Sequence, residues 1–206
     1  MAIFRPTPAA SGDSNQFLGF KEVAIVSFED KADNYSWADV YLDVKVQMEG
    51  SKYSDSLRIA GSFDRDASGD ITECTLLKRI YYLFDALGYN GGVNLKGEFE
   101  DPDGKVVENI AEELSKYEDP EARKYAVYIY KEPDKKDPNK AWTRVQGKIM
   151  RADQMDDLKS YIKFMQDKNF IKEAKPGGKP QPAPGQAPVS TPEDDKDILP
   201  FWCTLK

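Results

Sequence analysis

The chain has 206 residues, of which 40% are hydrophobic, 12% aromatic and 32% charged, and its formal net charge is -7. That is enough apolar material for one core, so a chain disordered throughout is excluded, and the negative balance excludes a protein that grips duplex nucleic acid over its whole surface. The absence of His removes Ser-His-Asp and Cys-His catalysis and His-ligated metals, and Cys74 and Cys203 alone cannot build a four-thiolate zinc site or a disulfide framework. Such sparse cysteine usage fits a reducing compartment. No apolar run is long enough for a membrane span, and residues 1–12 lack the basic start and apolar stretch of a signal peptide. The expectation is a soluble cytoplasmic protein.

Residues 22–28 read as a first strand. Residues 37–48 carry the clearest pattern in the chain: Ala38, Val40, Leu42, Val44, Val46 and Met48 alternate with Trp37, Asp39, Tyr41, Asp43, Lys45 and Gln47. A period of two is the mark of a strand with one buried face. Residues 56–63 (SLRIAGSF) form a third strand, with Gly61 a candidate bulge. The period then changes. Residues 72–87 place Leu76, Ile80, Leu83, Phe84 and Leu87 on one helical face, and Gly88 stops the helix. The run from Asp101 to Gly104 (DPDG) is a tight turn, and residues 107–116 form a second, short helix. Strands return at 125–131 and 142–149. A last helix over 154–170 is amphipathic through Met155, Leu158, Ile162 and Met165. There is no internal repeat.

This order predicts a mainly β protein with helices (α+β): an OB-like five-stranded barrel with a helical insert and a C-terminal helix. Three strands, a helix and two strands is the element order of that small Greek-key barrel. The layout is an N-terminal arm over 1–20, the OB-like domain over 21–150, a helix over 151–172 and a tail over 173–206. Residues 175–192 (KPGGKPQPAPGQAPVSTP) contain six Pro and three Gly, with Val189 the only large aliphatic residue. Such a segment buries too little to offset chain entropy and reads as a disordered linker. After it comes an acidic tip ending in an apolar cluster. The tail from residue 173 carries a net -1 and the body -6, so any anion-binding surface must be a local patch.

Exposed rings beside cations suit single-stranded nucleic acid, because bases stack on the rings and cations follow the backbone. If the aliphatic face of the second strand points inward, Trp37, Tyr41 and Lys45 point outward, and Arg58 does so on the third strand. Tyr128 and Tyr130 share one face of a later strand, and Trp142, Arg144 and Lys148 share a face of the last. Strands favour aromatic residues in any case, and the same parity puts Asp39 and Asp43 outward, where carboxylates repel phosphate. The loop at 131–140 holds four Lys between two strands and reads as a solvated connection or a DNA-contacting finger. From Asp64 to Thr75, Asp64, Asp66, Ser68, Gly69 and Ile71 fit part of an EF-hand loop. However, Thr75 stands where the bidentate Glu belongs, so a turn and a helix cap are the simpler reading. No spacing marks a catalytic pair, and no cofactor or metal is called for.

The tip EDDKDILPF (193–201), at the end of a Gly/Pro/Gln linker, closely resembles the tip of bacterial single-stranded-DNA-binding proteins. The matching residues are Asp194, Asp195, Asp197, Ile198, Pro200 and Phe201. Leu199 stands between Ile198 and Pro200, and Phe201 is not the last residue. The resemblance implies that the tip recruits replication and repair enzymes, acids steering toward a basic pocket that Phe201 fills. Residues 20–150 are similar in layout to small phage proteins regarded as single-stranded-DNA-binding, through LRIAGSFD, LLKRIYYLFDALG and the pair YAVYIYKEP and KAWTRVQGKI.

The combined expectation is a non-enzymatic, sequence-independent single-stranded-DNA-binding protein of phage replication or recombination, acting in the host cytoplasm. Its partners would be single-stranded DNA and, through the tip, replication proteins; homo-oligomers are open and no membrane is involved. The alternatives are a protein-interaction adaptor that binds no nucleic acid, which the net charge favours, and a calcium-regulated module.

Overall fold

The computed structural model describes residues 17–137 and 140–174. Most of the expected arm, the linker from residue 175 onward, and the tip residues Asp194, Asp195, Asp197, Ile198, Pro200 and Phe201 lie outside the described residues. The architecture is mixed α+β. Strands β1 (Gly19–Asp30), β2 (Val40–Met48) and β3 (Asp55–Gly61) come first, followed by α1 (Thr75–Leu87). A two-stranded ribbon, β4 (Gly92–Val93) and β5 (Phe99–Glu100), and the short α2 (Ile110–Leu114) lead to β6 (Tyr125–Pro133) and β7 (Ala141–Val145). The two-residue β8 (Met150–Arg151) and α3 (Met155–Asp167) complete the fold.

The main sheet is antiparallel and runs β3-β2-β1-β6-β7, with β8 also paired to β6. The central strand is therefore β1. The expected five-stranded barrel is not closed. β3 and β7 approach within 8 Å at Cα, but no hydrogen-bond ladder joins them. β3 and β7 stay the two edges of the sheet, and the β6–β7 pairing ends at Val145, where the chain leaves the ladder. That break also corrects the single strand expected over 142–149. Gln146 N–H donates to the Tyr128 carbonyl at 2.8 Å, and pairing resumes only at β8, opposite Tyr125 and Ala126.

The alternation of β2 sets the inner face as expected. Val40, Leu42, Val44, Val46 and Met48 are buried with Val23, Ile25 and Phe28 of β1, Leu57 and Ile59 of β3, and Val127 and Ile129 of β6. Leu76, Ile80, Leu83, Phe84 and Leu87 of α1, with Ile110 and Leu114 of α2, close this face. Each such side chain contributes about 1.5–3 kcal/mol on burial. The bulge lies in β1 and not at Gly61. The β1–β2 register shifts between Ile25 and Ser27, which makes Val26 the extra residue and returns Phe28 to the core. Gly61 pairs regularly with Val40.

Local chemistry fixes the helix ends. α1 starts three residues later than expected, because Thr72 N–H bonds back to the Asp64 carbonyl at 2.8 Å and Cys74 is the cap, its Sγ accepting from Leu77 N–H at 3.5 Å. Gly88, at φ +69°, ends the helix in the left-handed region. Asn109 caps α2 by accepting from Ala111 and Glu112 N–H. The DPDG turn closes with Gly104 N–H donating to the Asp101 carbonyl at 2.9 Å.

A second, smaller core lies on the outer face of the sheet. Leu158 and Ile162 of α3, with Ile171, cover Ala126 and Tyr128 of β6. Residues placed in the linker from sequence are part of this packing: Glu173 accepts from the Tyr128 hydroxyl at 2.6 Å, and Ala174 N–H donates to the Lys131 carbonyl at 2.7 Å. Among the described residues, no helix is long and apolar enough to cross a membrane.

Gly91 marks the tightest approach in the fold. A Cβ there would lie 2.3 Å from the Glu100 carbonyl oxygen and 2.4 Å from the Tyr89 ring, whereas at Gly92 the nearest atom is 3.5 Å away. Gly91→Ala is expected to cost about 1–3 kcal/mol in urea unfolding, with Gly92→Ala close to wild type.

Candidate nucleic-acid interface

The outer face of β2 and β3 is built by parity. With the aliphatic residues of β2 buried inside, Tyr41, Asp43, Lys45 and Gln47 stand outside, opposite Ala60, Arg58 and Ser56 of β3 in the register Tyr41↔Ala60, Asp43↔Arg58, Lys45↔Ser56. The β1–β2 loop folds over the end of this face. Its backbone is tied by Lys31 N–H to the Tyr41 carbonyl at 2.8 Å and Asp39 N–H to the Gly61 carbonyl at 3.0 Å, and the Ser62 hydroxyl donates to the Trp37 carbonyl at 2.5 Å. The loop and the start of β2 together present three rings. Tyr35 stacks on Tyr41 with centroids 4.3 Å apart and planes 12° from parallel. Trp37 stands edge-on to Tyr41 at 6.2 Å and tilted to Tyr35 at 5.9 Å. Trp37 is 57% exposed and Tyr35 37%.

Charge on this face is organised around one carboxylate. Asp43 is only 3% exposed, and its Oδ2 accepts from both Lys31 Nζ and Lys45 Nζ at 2.8 Å. Lys31 also pairs with Glu29, and Lys45 donates to Ser56 Oγ at 2.7 Å. Burial pushes the Asp43 carboxyl up, but the two ammonium groups outweigh it and hold it below its ordinary value. The same pairing holds the Lys31 ammonium far above its ordinary value, chiefly through the Asp43 bond. Each lysine commits two of its three donors and keeps one. The Asp39 carboxylate accepts from Phe63 N–H at 2.7 Å. Both acids that parity places here are therefore bound to the fold itself. Arg58 lies cross-strand from Asp43, is exposed, and has no ion-pair partner among the described residues.

A second group stands on the same face at the β6–β7 hairpin. Tyr130 pairs with Arg144 and Glu132 with Trp142. Arg144 Nε donates to Glu132 at 2.9 Å. Trp142 is 53% exposed, and its indole N–H donates to Asp134 Oδ2 at 2.7 Å.

Two expected residues are engaged in packing within the fold. Tyr128 is buried under α3, where its hydroxyl donates to Glu173 and accepts from Gln166 Nε2 at 3.2 Å, and Phe20 packs at 4.7 Å. Lys148 lies beyond the end of β7, over the touching rings of Tyr82 on α1 and Tyr161 on α3, at 4.4 and 4.3 Å from their centroids. Burial lowers its pKa, against the charges of Asp157 and Asp85. It clamps α1 to α3 through two cation–π contacts. The structure thus groups Trp37, Tyr41, Lys45 and Arg58, and separately Tyr130, Trp142 and Arg144. Sequence reasoning missed Tyr35 and Lys31. Both lie in the β1–β2 loop, where the backbone does not alternate and no periodic signal marks them.

The EF-hand-like loop uses its carboxylates in its own turn. Asp66 Oδ1 accepts from Ser68 and Asp70 N–H at 2.8 and 3.1 Å, and Asp70 pairs with Lys96. No group of three or more acids or cysteines suited to a metal ion occurs among the described residues. Comparison with protein-family models and with curated proteins finds no match for the chain.

Asp43→Asn leaves two half-buried ammonium groups without their shared partner. It is expected to cost about 2–3 kcal/mol at pH 7, less than a fully buried pair because both lysines reach water. The depressed carboxyl contributes its stability above the unfolded value of about 3.9 and loses it as pH falls through the lower folded value. The gap between wild type and variant in urea unfolding should therefore narrow in acid.

Proposed function

We propose that this protein binds single-stranded DNA without sequence preference, through the outer face of β2 and β3 and the β1–β2 loop. The observation that carries the reading is the cluster of Tyr35, Trp37 and Tyr41 beside Arg58, which is exposed and has no ion-pair partner among the described residues. Rings offer stacking worth about 1–3 kcal/mol per base, whatever the base, and the guanidinium meets the backbone. The sheet order β3-β2-β1-β6-β7, with α1 between β3 and β6, agrees with an open OB-type arrangement. In OB-folds the face of strands two and three and the flanking loops are the usual oligonucleotide surface. On that face Asp43 is charge-matched by Lys31 and Lys45, whereas Asp39, bonded to Phe63 N–H, keeps its charge at the end of the strand.

The biological setting in this proposal is phage DNA replication or recombination in the host cytoplasm, with Asp194, Asp195, Asp197, Ile198, Pro200 and Phe201 recruiting partner enzymes. It rests on the resemblance of the tip and of the body's layout.

The test is fluorescence anisotropy of a labelled thirty-nucleotide oligo-dT at two salt concentrations, with duplex as control. Binding to the single strand that weakens with salt is expected. Trp37→Ala and Tyr35→Ala should each weaken it by about 1–3 kcal/mol with little change in stability. Arg58→Ala should lower the salt slope by about 0.7. No binding at low salt would overturn the reading and leave the protein-interaction adaptor.

A further inference from the structure

The β6–β7 hairpin holds a tryptophan in an unusual way. Trp142 is 53% exposed, yet its indole N–H is fixed to Asp134 Oδ2 at 2.7 Å. Indole N–H bonds lie in the ring plane, so this one occupies an edge and not a π face. No other ring packs on Trp142 among the described residues, unlike Trp37, which meets two tyrosines. The acceptor is itself fixed. Asp134 Oδ1 accepts from Lys136 and Asp137 N–H at 2.7 and 3.0 Å, and Asp134 N–H donates to the Lys140 carbonyl at 2.8 Å. Its carboxyl is held below the ordinary carboxylate range, first by the indole bond and then by those amides. One carboxylate therefore folds the loop with one oxygen and aims a tryptophan with the other. Arg144, two residues along the same face, supplies a neighbouring cation.

We propose that Asp134 is a positioning residue: it holds the Trp142 ring as a second base-stacking platform, at the β6–β7 hairpin. This rests on the nucleic-acid reading above. The physical gain is preorganisation. A ring already ordered does not lose its side-chain freedom when a base lands on it, which is worth about three- to tenfold in affinity. The inference runs against simple electrostatics, because removing a carboxylate from a surface that binds phosphates should tighten binding.

The test uses the full chain and Asp134→Asn. Asn keeps a carbonyl oxygen for the loop amides but offers the indole a donor in place of an acceptor. The first readout is the indole N–H resonance of Trp142 in tryptophan-labelled protein, assigned by its loss in Trp142→Phe. The expected result is an upfield shift and faster exchange in Asp134→Asn. The second is binding to thirty-nucleotide oligo-dT. Asp134→Asn should weaken it about three- to tenfold, while in a Trp142→Ala background the same substitution should leave it unchanged or slightly tighter. An unmoved indole resonance, tighter binding by Asp134→Asn, or equal weakening in both backgrounds overturns the positioning role while DNA binding by the wild type stands. A wild type that binds no oligo-dT overturns the nucleic-acid reading and this proposal together.

Discussion

The alternation of β2 across the pleat is the constraint on which the rest of the structure depends. Burying Val40, Leu42, Val44, Val46 and Met48 on one face forces Tyr41, Asp43 and Lys45 onto the other. The inner face carries a large apolar area, which α1 and α2 cover. The outer face is mixed, and only part of it can be covered. α3 takes the part over β6, where Ala126 and Tyr128 give it an apolar seat. The part over β2 and β3 carries charge and stays open.

On that open part, Asp43 has a role that its type alone does not reveal. A carboxylate at 3% exposure is costly unless paired. Lys31 and Lys45 supply the pairing, one from the β1–β2 loop and one from the strand. The ion pairs thereby tie the aromatic loop to the sheet as well as balancing charge. Lys31 N–H to the Tyr41 carbonyl reinforces the same junction. Tyr35 and Trp37 are consequently presented from a loop anchored at both ends, which is what a stacking surface needs if it is not to lose entropy on binding.

The β6–β7 hairpin repeats this design with other residues. Asp134 organises its loop as Asp43 organises the β2–β3 end of the same face, and each acid serves by holding a neighbour in place. Lys148 applies related chemistry to structure alone. Set over Tyr82 and Tyr161, it joins a helix of the inner face to the helix of the outer one. Lys148 reads from the sequence as a phosphate contact, and here it packs on two rings that the sequence reading did not single out.

How much was legible follows from the range of each interaction. Alternation in β2, the apolar stripe of α1 with Gly88 at its end, and the turn at Asp101 to Gly104 are local, so the amino-acid order determined them. Parity also determined that Tyr41 and Lys45 share a face; Arg58 joins them through the β2–β3 register, and Trp37 and Tyr35 reach it from the loop. What lay beyond local reading needed partners distant in the chain. Tyr128 has the parity of an exposed ring, but α3 and Glu173, 45 residues away, bury it. Lys148 leaves its strand because the β6 ladder breaks at Gln146 and resumes at β8. The bulge falls in β1, which must pair on both edges, and not at Gly61, a strand end that needs none. By itself the sequence determined the faces. Only tertiary packing decided which of them remain open, because covering a face takes a second element whose position no local pattern encodes.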